Sequence, residues 1–167
     1  MNTSPHPLVD RPDMPESYGL SKNATDRLNW DWVQSRLITS RNYWVATTRA
    51  NGRPHVMPVW GIWKDECFYF GTDIQSVKGR NLIRNPYLIV HLESGDEAVI
   101  LECRAERVDD PAVLKGVLST YAEKYGVFSD ENELSSETIF FAARPYKAFA
   151  WRESDFPTSA TRWRLDG

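Results

Sequence analysis

Cysteine is scarce in this chain: Cys67 and Cys103 are the only two among 167 residues. Two thiols so far apart match no Cys-rich zinc spacing and build no disulfide framework. Each lies in an apolar, strand-like stretch, so both read as buried free thiols of a reducing compartment, and a cytoplasmic location is expected. The three histidines, His6, His55 and His91, are widely separated, and no metal site is expected. Long apolar runs are missing: Ala98 to Leu101 is among the longest, far short of the ~20 residues a membrane helix needs. Residues 1–7 carry neither the basic nor the apolar region of a secretory signal, so none is expected. Positive charge is not in excess: 20 Lys and Arg against 23 Asp and Glu leave a net charge of −3 and a pI near 5.6. That argues against a partner such as nucleic acid. Gly-x-Gly-x-x-Gly, Gly-x4-Gly-Lys-Ser/Thr and Gly-x-Ser-x-Gly motifs are all absent, and no residue stands out as a general acid or base.

What is present is an ordinary globular composition, 41% hydrophobic and 26% charged, with aromatics at 13% and seven Trp. Such a chain has the length of one domain and needs no staple to fold. Four of the ten Pro fall in residues 1–19, so residues 1–22 read as a flexible tail and 23–167 as a single domain. Leu28, Trp32, Val33, Arg36 and Leu37 predict a helix over 26–39, capped by Thr25 or Asn29. Tyr43 to Thr48 reads as a strand, followed by the hairpin signal Asn51-Gly52. The return segment, 53–63, carries Pro54 and Pro58, which implies a bulge or an edge. Strands over 67–70, 87–92 and 99–106, a short helix over 77–84 and a longer one from Pro111 to Gly126 follow. Residues 138–143 and 146–151 read as two strands around Arg144-Pro145, and 162–165 as a last strand. The order gives a mainly β fold, a six- to seven-stranded antiparallel barrel with peripheral helices.

The stretch richest in chemistry is Gly71-Thr72-Asp73-Ile74-Gln75-Ser76-Val77-Lys78-Gly79-Arg80-Asn81. It leaves a strand and opens a helix. Hydroxyls on Thr72 and Ser76, cations on Lys78 and Arg80, and the free N–H groups of a first helical turn are what a phosphate requires. A solvated turn capped by Ser76 explains the same residues without a ligand.

With that stretch in view, the sequence resembles the flavin-binding split barrels related to pyridoxamine 5'-phosphate oxidase, including their deazaflavin-using relatives. The resemblance spans about 25–165. It rests on Trp44-Val45-Ala46-Thr47 leading into Asn51-Gly52-Arg53-Pro54-His55-Val56-Met57-Pro58-Val59-Trp60, on Phe70-Gly71-Thr72 with Ser76 to Leu82 and Asn85-Pro86, on Arg144-Pro145 with Trp151, and on Thr161-Arg162-Trp163-Arg164. It implies a split β-barrel of the FMN-binding type. His55, Val56, Met57, Pro58, Val59 and Trp60 would run along the isoalloxazine, giving backbone hydrogen bonds and an apolar wall. Thr72, Ser76 and Lys78 match the phosphate loop. The chain departs from the pattern at Val77, where many members have Arg, and Arg80 is the expected substitute for that charge. The implied cofactor-binding stretch thus takes in Gly71, Thr72, Ser76, Val77, Lys78 and Arg80. Trp151 and Arg162 match positions that reach the cofactor from the other subunit of a homodimer. The oxidase itself has a Lys near the position of Trp60 and an Arg-x-His near its C-terminus. Here stand Trp60 and Arg162-Trp163-Arg164, so pyridoxamine phosphate is not the expected substrate.

The resemblance thus implies an FMN-dependent oxidoreductase passing hydride to or from a small conjugated substrate, with the flavin ring doing the chemistry. The alternatives are a reductase using the deazaflavin coenzyme F420, a flavin- or haem-binding protein without turnover, and a dimeric barrel whose aromatics serve only an interface. A polar loop over 153–160 is long enough to carry Arg162 to a neighbouring copy. Deletion of 153–167 is accordingly expected to leave a folded chain that has lost its cofactor.

Overall fold

The computed structural model describes residues 8–20, 26–127 and 134–165. Its elements are β1 (Leu8–Asp10), α1 (Trp30–Thr39), β2 (Tyr43–Thr48), β3 (Pro54–Val59), β4 (Ile62–Lys64), β5 (Cys67–Asp73), α2 (Val77–Arg84), β6 (Tyr87–His91), β7 (Glu97–Arg107), α3 (Pro111–Tyr125), β8 (Thr138–Arg152), α4 (Phe156–Ser159) and β9 (Thr161–Arg164). All nine strands join one antiparallel sheet in the order β1-β9-β8-β7-β6-β2-β3, with β5 paired to β8 and β4 to β5. The sheet curls without closing, which makes this mainly β fold a split barrel.

Local chemistry sets the helix ends. The Asn29 side chain accepts the Trp32 N–H at 2.8 Å, so α1 starts at Trp30 rather than at 26; Thr25 lies outside the described residues. Asp110 caps α3 through the Ala112 N–H, Pro111 sits at its first position, and Gly126 closes it in a left-handed conformation.

Three strand expectations are corrected. The tail residues Leu8–Asp10 form β1, an added edge strand on β9. The segment 53–63 is two strands rather than one, broken at Trp60-Gly61. Residues 138–152 are one strand rather than two: β8 runs through Arg144-Pro145, with Pro145 in register with Cys103, and a bulge at Tyr146 shifts the register between Glu102 and Cys103. The first two changes each add a strand and the third removes one; the sheet has nine strands, against the six or seven expected.

The inner faces of the sheet meet in a core of Val45, Phe68, Phe70, Val90, Leu101, Phe141 and Trp163. A second cluster lies between α3 and the opposite face of β4, β5 and β8, built on Ile62, Tyr69, Leu118, Tyr121 and Phe140. β5 is therefore covered on both faces, which explains its unbroken apolar run Cys67 to Phe70. Cys67 and Cys103 are free and buried, and burial pushes both thiols upward, Cys67 to about 11. Among the described residues no helix is long and apolar enough to cross a membrane, and no group of three or more His, Cys, Asp or Glu forms a metal cluster.

Candidate functional site

β3 ends the sheet, and among the described residues its outer edge has no strand partner. The Arg49 N–H bonds the Arg53 carbonyl, so the bonded pairs of the β2–β3 ladder fall at 47–55, 45–57 and 43–59. Pro54, Val56 and Pro58 then turn their backbone toward the open edge. That is why two prolines are tolerated here without a bulge: neither gives up a ladder bond. The same edge carries Val56, Met57 and Trp60, exposed at 48%, 46% and 40%.

Beside β3 lies the junction of β5 and α2. Ser76 caps α2, its Oγ accepting the Gly79 N–H at 3.0 Å and lying 2.9 Å from Thr72 Oγ1. The loop folds tightly over Gly79, where a Cβ would stand 2.6 Å from the Asp73 carbonyl oxygen and 2.8 Å from that of Ile74. Asn81, buried one turn on, donates to Thr47 at 2.9 Å and so docks α2 on β2 next to His55.

These elements enclose a groove of about 330 Å³. Pro58, Val59 and Trp60 form one wall; Gly71, Thr72, Asp73 and Lys78 form the other; Tyr121, Thr138 and Phe140 close the floor. Of the residues singled out from the sequence, Pro58, Val59, Trp60, Gly71, Thr72 and Lys78 line it together. Val56 and Met57 lie on the exposed edge, and Ser76 and Val77 sit at the start of α2. Arg80 bonds the Gln75 carbonyl. Tyr121 belongs to both core and groove: it is buried, and its hydroxyl donates to the Trp60 carbonyl at 2.8 Å. Thr138 and Phe140 carry no sequence signal, because only the β5–β8 pairing brings them opposite Asp73 and Gly71.

The electrostatics are lopsided. Burial pushes the Lys78 ammonium below its ordinary range, with Asp73 opposing, and Lys78 has no ion pair among the described residues. His55 is likewise held down, first by burial and then by Arg49 and Lys78, which keeps its ring neutral at pH 7. Its Nδ1 is buried without a hydrogen-bond partner. Lys78 and Asp73 both line the groove, while His55 lies beside it on β3 and is not part of its lining. A half-buried cation in a cleft marks a candidate ligand site.

Trp151 and Arg162 lie elsewhere. They stand near each other on the outward side of the far end of β8 and β9, Arg162 opposite Phe149. From Thr138 to Trp151 is roughly 40 Å of strand path. The Trp151 indole packs edge-on against Phe156 at 5.7 Å. Arg162 is bound through two nitrogens to Asp10 at 2.6 and 2.7 Å, and Asp10 also meets Arg164 at 3.2 Å. This ion pair holds the Asp10 carboxyl below its ordinary range. Within one chain, neither residue reaches the groove.

The sequence model of the family described as "Pyridoxamine 5'-phosphate oxidase" matches residues 31–152. The chain therefore belongs to the pyridoxamine 5'-phosphate oxidase family. Comparison with curated proteins gives no match. Among solved structures, the chain is similar to the conserved hypothetical protein Rv2991 of Mycobacterium tuberculosis, with 23% identity, 80% of this chain and 89% of that one covered, and a TM-score of 0.67. It is also similar to HutZ, the haem storage protein of Vibrio cholerae, at 18% identity, 69% and 86% coverage and a TM-score of 0.59. An F420 reductase matches at 20% identity, 69% and 94% coverage and a TM-score of 0.56. At these identities the solved structures share the fold.

Proposed function

We propose that this chain is a flavin-dependent oxidoreductase that holds FMN in the β3–α2 groove and acts on a small conjugated substrate other than pyridoxamine phosphate. The observation that carries this reading is the juxtaposition, in one groove, of an apolar strand edge with a hydroxyl-and-ammonium loop at a helix start. A tricyclic ring bearing a ribityl phosphate has that same division, flat and apolar at one end and anionic at the other. Thr72, Ser76, Lys78 and the first N–H groups of α2 hold the phosphate. The backbone of Val56 and Pro58 and the indole of Trp60 meet the ring, and the orphaned His55 Nδ1 has a partner once a ligand is seated. A bound flavin supplies hydride transfer through its N5.

Lys78→Ala removes one charge-assisted contact, worth about 1.5–3 kcal/mol. FMN affinity is expected to fall roughly ten- to more than a hundredfold in an equilibrium titration. Unchanged affinity refutes the phosphate assignment. NAD(P)H oxidation with a panel of acceptors then separates an enzyme from a binder such as a haem carrier.

A second reading is favoured by the charge around the groove. Lys78, Arg80 and Arg84 on α2 and Arg49 and Arg53 on the β2–β3 turn form no ion pair among the described residues, in a chain whose net charge is negative. Five cations exceed what one phosphate uses and suit the longer anionic tail of a deazaflavin. Parallel titrations with FMN and F420 choose between them.

The site reading also requires a homodimer. The apolar edge of β3 and the distance from the groove to Trp151 and Arg162 both suit a second copy that brings those residues to the ring. Light scattering at micromolar concentration is expected to give about twice the 19.3 kDa chain mass. A monomer at that concentration removes Trp151 and Arg162 from the site.

A further inference from the structure

The corner between β3 and β4 is held by one face of α3 rather than by the sheet. Three successive backbone groups of Trp60-Gly61 are engaged by side chains at positions i, i+3 and i+4 of that helix. The Tyr121 hydroxyl donates to the Trp60 carbonyl at 2.8 Å, the Tyr125 hydroxyl oxygen accepts the Gly61 N–H at 3.0 Å, and the Lys124 ammonium donates to the Gly61 carbonyl at 3.1 Å. The Trp60 indole lies stacked on Tyr125, with ring centroids 4.8 Å apart and planes 8° apart. The Tyr125 hydroxyl also lies 2.8 Å from the Gly61 carbonyl oxygen and 2.7 Å from that of Arg41, so Lys124 shares the Gly61 carbonyl with it. A helix face whose polar atoms meet the two peptides flanking Gly61 is a clamp, and Trp60 is the residue it presents to the groove.

Lys124 is the one member of the clamp that carries charge. Its ammonium also donates to the Tyr43 hydroxyl at 2.6 Å and lies 4.8 and 5.3 Å from the Tyr43 and Tyr125 ring centres. The groups facing it are Tyr43 from β2, Tyr121 and Tyr125 from α3, and Arg41, whose guanidinium sits 5.6 Å from the Tyr125 ring. Lys64, the cation of β4, is set against Gly116 about two turns back along α3 and pairs with Asp65. No carboxylate lies within 4 Å of Lys124 among the described residues. A half-buried cation without a counter-ion costs stability, so its presence at this corner calls for a role.

We propose that Lys124 is a positioning residue: its ammonium fixes the Gly61 carbonyl and thereby sets the angle at which Trp60 meets a bound ring, and loss of the charge loosens the corner. This rests on the flavin reading of the groove. Charge strengthens the hydrogen bond to the carbonyl and supplies the attraction to both tyrosine rings, and a neutral amine keeps only a weaker bond. Burial lowers the Lys124 ammonium to about 8, while burial raises Tyr43, Tyr121 and Tyr125. Between pH 7 and 9.5 the clamp therefore loses one proton, from Lys124.

The test uses the full chain. In the wild type without cofactor, the Gly61 amide resonance is expected to shift in a single step centred near pH 8, and no substitution is needed to see it. The step is expected to vanish in Lys124→Arg, which does not titrate in this range. With FMN as probe, wild-type affinity is expected to fall several-fold between pH 7 and 9.5. Lys124→Arg keeps the affinity of the low-pH form throughout, and Lys124→Met is weak and flat. A wild-type Gly61 resonance with no step, or a Lys124→Met pH profile that follows the wild type, overturns the proposal. A wild type that binds neither FMN nor F420 overturns the functional reading alone, and the Gly61 titration still decides the clamp.

Discussion

Gly79→Ala is expected to weaken FMN binding by more than a hundredfold while the chain remains folded. The reason is steric and local. The new methyl would lie 2.6 and 2.8 Å from the carbonyl oxygens of Asp73 and Ile74, and both are backbone atoms that no rotamer change can move. Either the 73–76 loop lifts or α2 backs away. Each movement breaks the bond from the Gly79 N–H to Ser76 Oγ and separates Ser76 from Thr72. The phosphate contacts then fail together, which is why the effect exceeds that of Lys78→Ala, where one contact goes and the backbone stays. Overpacking of this kind costs about 1–3 kcal/mol. For a chain of this size that lowers the melting temperature by roughly 2–12 °C. Calorimetry and an FMN titration on the same preparation check both halves. Affinity within threefold of wild type would place the phosphate somewhere other than this loop.

The loop was legible in the sequence because its determinants are consecutive. A strand, a Thr, a capping Ser and a helix opening on Lys78 can be read in eleven residues, and the structure starts α2 at Val77 after Ser76 as that reading requires. Asn29, Asp110 and Gly126 are legible for the same reason, since a cap is a bond across two to four residues. What failed was everything decided by pairing at a distance. Leu8–Asp10 is too short to predict as a strand and owes its conformation to β9 and to the Asp10–Arg162 ion pair. Pro145 looks like a strand break until its register with Cys103 and the bulge at Tyr146 beside it are seen. Thr138 and Phe140 enter the groove only through their register with β5. Lys124 is the most instructive miss. A lysine on a helix reads as a solvated charge, and only the corner packed against α3 shows that three neighbouring side chains engage the two peptides flanking Gly61.

Trp163→Ala is expected to destabilise the chain by about 3–5 kcal/mol, the range for truncating a buried Trp. The indole is 1% exposed and tilts against Trp30 at 5.5 Å, at the point where β9 and α1 close over the core. Its strand is tied in by Thr161, buried, whose hydroxyl accepts the Leu28 N–H at 3.0 Å and donates to the Ser159 carbonyl at 2.8 Å. Domains of this kind hold only 5–15 kcal/mol in total, so the loss is a large share of the whole. The melting temperature is expected to drop by roughly 6–20 °C. This reverses the sequence-based expectation that 153–167 can be removed from a folded protein: that deletion takes Trp163 out of the core and strips the partner from β1. Cofactor loss in such a truncation would report unfolding. The role of Arg162 has to be read from a point substitution that leaves β9 in place, and Arg162→Ala does so because its side chain faces away from the core, toward Asp10. A Trp163→Ala chain melting within 2 °C of wild type would mean that β9 is not part of the cooperative core. The C-terminal strand would then be free to swing toward a second copy, and the deletion would again be the informative experiment.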